Sequence, residues 1–506
     1  MIDFLEGLLG LTNKTSDFMW AQWMVIILVG TGIILTFVTR GVQVRKFILS
    51  MKFVFKGALG KDKKEKEEGD ISPFAALMTA LAATVGNGNI AGVASAIAIG
   101  GPGAPVWMWF SAFFGMATKY AEGFLGVKYR EVAKDGSMAG GPMYYARNGI
   151  GNIKFAKFLG MLFAICGGAT ALFGTGNMMQ SNSMALAFKS QFGVPTIVSA
   201  IVITVLVGIV ILGGIKRIGA VSEKLVPSMI LLYFLGAVII LIVRIDQIGE
   251  AFMLIIKSAF SIQAAGGALV GTSIQKAISL GVRRGVLSNE AGLGSAAIAQ
   301  SAAKSPDPGY NGLLAMTGTF IDSIFVNTLT TLSIVVTGVW KLTPAAGLNL
   351  LQPGTTLGAA HVAALPAYMH VLAGQIGYNL ANGGLDSTAL TVVAFNSTIP
   401  HGGIIIAIAS FFFGYSTLIA WAYYGEQCIG YIWGVKSHIP YRVVFIALTL
   451  LGALMTGKYL KIVWNIGDTF NAIMAIPNLI ALLALSGVVA KITRDNYKTR
   501  HFEKFL

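Results

Sequence analysis

Eleven apolar stretches, each long enough to cross a lipid bilayer, constrain this chain more than any motif in it. They lie at about 16–39, 71–100, 103–127, 157–188, 194–214, 220–243, 251–280, 309–338, 400–433, 439–457 and 461–489, and a crossing helix needs about 20 predominantly apolar residues. A moderately polar stretch, 286–304, separates the seventh run from the eighth, and a long segment, 339–399, separates the eighth from the ninth. Composition agrees: 55% of the 506 residues are hydrophobic and 12% charged, about half the charged share of a soluble domain. The expected fold is an all-α polytopic membrane protein with eleven transmembrane helices.

A net charge of +15 would suit nucleic acid if the basic residues were clustered for it, but they sit in the gaps between runs. Placing the loop after the first run inside puts 28 of the 37 Lys and Arg residues on the cytoplasmic side, seven on the other and two within runs. That is a strong positive-inside bias. It predicts a multi-pass plasma-membrane protein with its N-terminus outside and its C-terminus cytoplasmic, and no nucleic-acid partner. No basic n-region with a cleavage site opens the chain, so the first run should be retained. Cys166 and Cys428 give neither a disulfide framework nor metal-ligand spacing.

Glycine shows where function sits. The second run contains Ala83-Thr84-Val85-Gly86-Asn87-Gly88-Asn89, poor helix material at membrane depth. A break there would point a half-helix N-terminus at a carboxylate and free carbonyls for Na⁺ or an ammonium. The other reading is a small-residue packing face with the asparagines bonded between helices. The seventh run repeats the pattern at 261–272 (SIQAAGGALVGT), five crossings later, as an inverted five-plus-five repeat predicts. A plain kinked helix is its alternative.

In the fourth run Gln180 can bond a small polar substrate, while Asn177 and Asn182 can bridge helices. In the ninth, Ser416 and Thr417 can ligate Na⁺ where a facing helix supplies carbonyls, or simply cap their own helix. Among the charges within runs, Lys119 and Glu122 can neutralise each other. Asp322 is the one best placed inside the bundle. No phosphate-binding loop, zinc-protease pair or nucleophile–base pair indicates an enzyme.

Several segments resemble the alanine or glycine:cation symporter family of the wider amino acid–polyamine–organocation group. They are 79–92 (TALAATVGNGNIAG), 100–110 (GGPGAPVWMWF), 139–144 (AGGPMY), 285–296 (GVLSNEAGLGSA) and 414–426 (GYSTLIAWAYYGE), and the similarity runs from about 16 to 489. The resemblance implies a LeuT-type 5+5 inverted repeat plus one extra N-terminal helix. The units are then 1–70, 71–243, 251–489 and a cytoplasmic tail, 490–506. It implies Na⁺-coupled uptake of alanine or glycine by alternating access, with a monomer as the expected unit and no organic cofactor. By the same resemblance, substrate contacts fall to Thr84, Gly86, Gly88, Asn89, Gln180, Ala264, Ala265, Gly266 and Gly267. The Na⁺ ligands fall to the carbonyls of Ala82, Val85 and Phe413 and the hydroxyls of Ser416 and Thr417. Two departures stand out: Asn87 replaces a threonine common in the family, and the segment 345–383, with His361 and His370, is longer than the usual outer loop. A proton-coupled transporter using Asp322 or Glu426, or a non-transporting sensor, is the alternative.

Overall fold

The computed structural model describes residues 2–60, 67–151, 153–260, 274–305, 307–342, 388–455 and 460–505. The expected substrate residues 264–267, the whole of 261–272, and His361 and His370 lie outside the described residues. In chain order the helices are α1 (Ile2–Met19), α2 (Gln22–Val38), α3 (Phe47–Ala58), α4 (Pro73–Thr84), α5 (Val93–Gly100) and α6 (Ala104–Lys128). A small hairpin, β1 (Glu131–Val132) with β2 (Met138–Ala139), leads to α7 (Pro142–Gly149), α8 (Ile153–Phe173), α9 (Met178–Phe192), α10 (Thr196–Ile211), α11 (Gly214–Val243) and α12 (Ile248–Phe260). Then come α13 (Ile274–Asn289), α14 (Ser295–Ser301), α15 (Pro308–Thr319), α16 (Asn327–Val336) and α17 (Thr388–Asn396). The last are α18 (Gly403–Trp433), α19 (His438–Leu454), α20 (Leu460–Ala484) and α21 (Ser486–Lys498).

Among the described residues, seven helical spans are long and apolar enough to cross a membrane, or eight if the bent pair around residues 85–87 counts as one. The expected runs that fall short do so for physical reasons. Lys119 and Glu122, both buried within the protein, lower the hydropathy of α6. The 16 residues of α10 reach only about 24 Å at 1.5 Å per residue. The outer surface is a hydrocarbon belt: Ile201, Val205 and Ile209 of α10, Leu235 and Ile242 of α11, and Val443 of α19 are all exposed. The interior instead holds buried polar residues such as Asn177, Asn182, Asp322 and Asn327, which in hydrocarbon must find partners within the protein. Asn177 and Asn182 do bridge helices, the former donating to the Phe445 carbonyl at 2.9 Å, the latter to those of Gly452 and Met455 at 3.1 and 2.7 Å.

Small residues set the closest approaches, as expected where helices pack without a hydrophobic driving force between them. α13 and α15 lie along α6, with Gly281 and Gly285 against its backbone and Gly312 against Tyr120. One backbone-on-backbone crossing puts Gly467 of α20 on Gly174, where a Cβ would land on the opposing backbone. Gly467→Val should therefore cost at least about 2 kcal/mol through overpacking, read as a lower melting temperature of the detergent-purified protein.

Candidate functional site

The site grows from the failure of one helix. α4 runs to Thr84; Val85 then turns to ψ 90° with its N–H still on the Leu81 carbonyl at 2.7 Å. The chain resumes as a π turn at Gly88–Gly92 before α5, and the two halves are bent by 51°. Helix ends strand backbone groups, and here a side chain meets one of them: the Gly86 N–H donates to Asn89 Oδ1 at 2.8 Å. The carbonyl end of α4 and the N–H end of the Gly88–Gly100 half therefore face a common point, the former suited to a cation and the latter to a carboxylate.

α18 packs against this point. Thr417 Oγ1 lies 2.9 Å from the Phe413 carbonyl and 3.2 Å from the Ala82 carbonyl of α4, and Ser416 Oγ donates to Phe413 at 3.0 Å. The bonds to Phe413 are ordinary helix self-capping. The approach to Ala82 is not, because it joins a second helix and asks one hydroxyl proton to serve two carbonyls. A Cβ on Gly86 would sit 2.8 Å from the same hydroxyl, so only glycine lets the broken segment reach it. Four of the five expected cation ligands, Ala82, Phe413, Ser416 and Thr417, are thus brought together, and Val85 stands at the break itself.

The expected substrate residues divide. Thr84, 7% exposed, turns its hydroxyl back toward the Ala80 and Leu81 carbonyls at 3.3 and 3.4 Å. Gln180 Oε1 accepts from Asn87 Nδ2 at 3.2 Å, and Ser410 of α18 donates to Asn87 Oδ1 at 2.6 Å. Asn87 therefore fastens the break to two other helices. At Gly88 a Cβ would lie 3.9 Å from the Ser288 backbone.

Asn89 is turned the other way. Its Nδ2 lies 2.7 Å from Asp322 Oδ1, 2.9 Å from Asn327 Oδ1, 3.1 Å from Ser288 Oγ and 3.3 Å from the Asp322 carbonyl. Asp322 sits in a second π turn, Phe320–Val326, and also accepts from Ser288 at 2.9 Å and Ser323 at 2.7 Å. Thr330 holds the Asn89 carbonyl at 2.8 Å. With Nδ2 engaged in this knot and Oδ1 holding the Gly86 N–H, Asn89 shapes the break from behind. Sequence reasoning missed Ser288, Asn327, Thr330 and Ser410; Ser288 lies in the family-like segment 285–296, whereas the other three carry no signal beyond being polar within or beside apolar runs. Glu426, by contrast, lies about 13 Å along α18 from Thr417 at 1.5 Å per residue. It is held by a two-pronged Arg442 contact at 2.5 and 2.8 Å.

Comparison with known proteins places this geometry in a lineage. The family model described as "Sodium:alanine symporter family" matches residues 6–373 and 361–504. The chain belongs to the sodium:alanine symporter family. It is therefore a secondary active transporter, a sodium-coupled amino-acid symporter and not an enzyme. The sodium/alanine symporter AgcS of Methanococcus maripaludis is 45% identical over 484 residues, 96% of each chain. An uncharacterized transporter of Haemophilus influenzae is 41% identical over 495 residues, 97% of each. Among solved structures, MhsT in complex with L-phenylalanine matches with a TM-score of 0.51 at 12% identity, covering 84% of this chain and 98% of that one. At that identity the likeness speaks for the fold alone: this sodium:alanine symporter family member is an all-α, LeuT-like polytopic membrane protein.

Proposed function

We propose that the chain imports a small neutral amino acid, alanine or glycine, with Na⁺ by alternating access, through eleven crossings. These form one leading helix and two inverted five-helix units, 71–243 and 251–489. The N-terminus lies outside and the C-terminal tail, 490–506, in the cytoplasm, a reading supported by the 28-to-7 split of basic residues. One observation carries the coupling assignment: Thr417 spans from Phe413 to the Ala82 carbonyl beside the broken helix. Na⁺ bound among Ala82, Val85, Phe413, Ser416 and Thr417 would fix α4 against α18. It would thereby stabilise the form of the break that receives substrate, and by linkage substrate would raise Na⁺ affinity equally.

In this reading the substrate carboxylate meets N–H groups at Asn87 and Gly88, beyond the Gly86 N–H held by Asn89, and its side chain faces Thr84 and Gln180. Residues 264–267 are the remaining substrate contacts of this reading. The close wall at Gly86, where an added Cβ would lie 2.8 Å from the Thr417 hydroxyl, favours small side chains. The name of the Methanococcus relative supports alanine as the first substrate to try.

The test is accumulation of labelled alanine in proteoliposomes under an inward Na⁺ gradient against an equal K⁺ gradient at fixed pH. Accumulation above equilibrium with Na⁺ alone is expected. It should grow with an inside-negative potential, since each Na⁺ carried across 100 mV contributes about 2.3 kcal/mol. Accumulation that instead follows an imposed pH gradient would move the coupling role to the proton and to Asp322.

A further inference from the structure

A second polar cluster lies beside the substrate region, at the end of the molecule where α4 begins and α6 finishes. That end is strapped shut. The Asp70 and Ile71 N–H groups donate to the Ala302 carbonyl at 2.8 and 3.2 Å, and Lys304 N–H returns to Ile71 at 2.7 Å. Arg130 clamps the Ser301 and Ala303 carbonyls at 2.9 and 2.5 Å, and reaches that of Glu68 at 2.7 Å. Above the strap, Lys119 and Glu122 of α6 and Glu290 at the turn after α13 are all buried.

The three ionisable groups are not equivalent. Glu122 Oε1 accepts from the Gly292 and Gly294 N–H groups at 3.0 and 3.1 Å and from Asn478 of α20 at 2.8 Å. Three N–H donors on one oxygen leave no proton on it and favour the ionised carboxyl group. Its other oxygen is 3.9 Å from Lys119 Nζ, so the pair balances its own charge. Glu290 is left over. It has one N–H donor, Trp421 Nε1 of α18 at 3.0 Å, and a hydroxyl partner, Ser295 Oγ at 2.5 Å, which can equally accept a proton from an acid. A second bare carboxylate here would add an uncompensated buried charge, which costs several kcal/mol. The residue is also held at φ +56°, a strained backbone that aims it across the seam at α18. Asp322, Lys119, Glu122 and Tyr424 of α18 are the other titratable groups that act on this cluster, and Tyr145 of α7 faces Glu122.

We propose that Glu290 carries a proton while this end is closed and releases it to water on that side when the end opens. Opening must separate Glu290 from Trp421, and Glu122 from Asn478, because each bond joins the α6–α13 side to α18 or α20. The freed carboxylate is then hydrated and ionises; on reclosing it takes a proton back from the same side. No proton crosses the membrane, so acidity on that side sets the opening rate and leaves the driving force to Na⁺. The inference deepens the transport reading and rests on it.

The test clamps pH separately on the two faces of proteoliposomes holding the full chain, under a constant Na⁺ gradient. Acidifying the face toward which this end opens should slow initial alanine uptake, by up to about tenfold per pH unit for a single proton. Acidifying the other face should not. Glu290→Gln keeps an acceptor for Trp421 and a donor for Ser295, so it should bind alanine in Na⁺, seen as thermal stabilisation. It should also transport at the slow acidic rate of the parent at every pH. Trp421→Phe, which removes a bond of the closed acid form, should shift the profile to lower pH. A flat profile in the unaltered protein, or an unchanged slope in Glu290→Gln, overturns the proposal. Loss of Na⁺-driven accumulation at every pH in the unaltered protein would instead overturn the transport reading.

Discussion

Replacing Thr417 with valine should raise the Na⁺ concentration for half-maximal uptake by about 10- to 100-fold while leaving the protein folded. Valine matches threonine in shape, so no cavity opens at a site only 2% exposed; what is lost is one oxygen. A ligand oxygen to a charged partner contributes about 1.5–3 kcal/mol, and each 1.4 kcal/mol is about a factor of ten in affinity. Ser416→Ala should be milder in its structural effect, because Ser416 bonds only Phe413 within its own helix. The measurement is the Na⁺ dependence of alanine uptake in proteoliposomes, with melting temperature as control. If the hydroxyls only cap α18, Thr417→Val will leave Na⁺ half-saturation where it was. That result would remove α18 from the coupling site.

The sequence displayed the break at residues 85–87 because two glycines and two asparagines in an apolar run are poor helix material. It displayed the Ser416–Thr417 pair as adjacent hydroxyls in an apolar helix, which on spacing alone suit an ion or simple self-capping. What it could not display was direction. A helix has sides, and whether Asn89 faces a substrate or the next helix depends on the 51° bend and on the two π turns, which rotate side chains out of the register that a regular helix would impose. The expected contact at Asn89 follows from residue type and position alone; its engagement with Asp322, Ser288 and Asn327 follows from that rotation. Counting crossings met a related limit. Runs such as α6 carry buried charge that lowers their hydropathy, while α10 is apolar but short. The Lys119–Glu122 pairing was readable from i, i+3 spacing, but Glu290 comes from a distant turn and only the folded chain brings it there.

Asp322→Ala should cost at least about 3 kcal/mol of stability and abolish uptake, because the carboxylate it removes ties the two π turns together. Asn89 Nδ2, Ser288 Oγ and Ser323 Oγ all donate to it, and a buried donor stripped of its acceptor costs about 1–3 kcal/mol. Water entering the gap would recover part of that, but it cannot hold Asn89 in register, and Asn89 in turn holds the Gly86 N–H. The defect therefore reaches the substrate break through one side chain. Asp322→Asn separates position from charge. Its amide keeps one acceptor toward Asn89, and its NH₂ can donate to Ser288 or Ser323 once those hydroxyls rotate, so melting temperature should stay close to that of the parent. If Asp322 only positions the break, uptake by Asp322→Asn should remain within about tenfold, a loss of no more than about 1.4 kcal/mol in the transport barrier. If uptake vanishes in a protein that still melts normally, the charge itself is required. The cation that balances it would then have to be counted in the transport stoichiometry beside the one at Thr417.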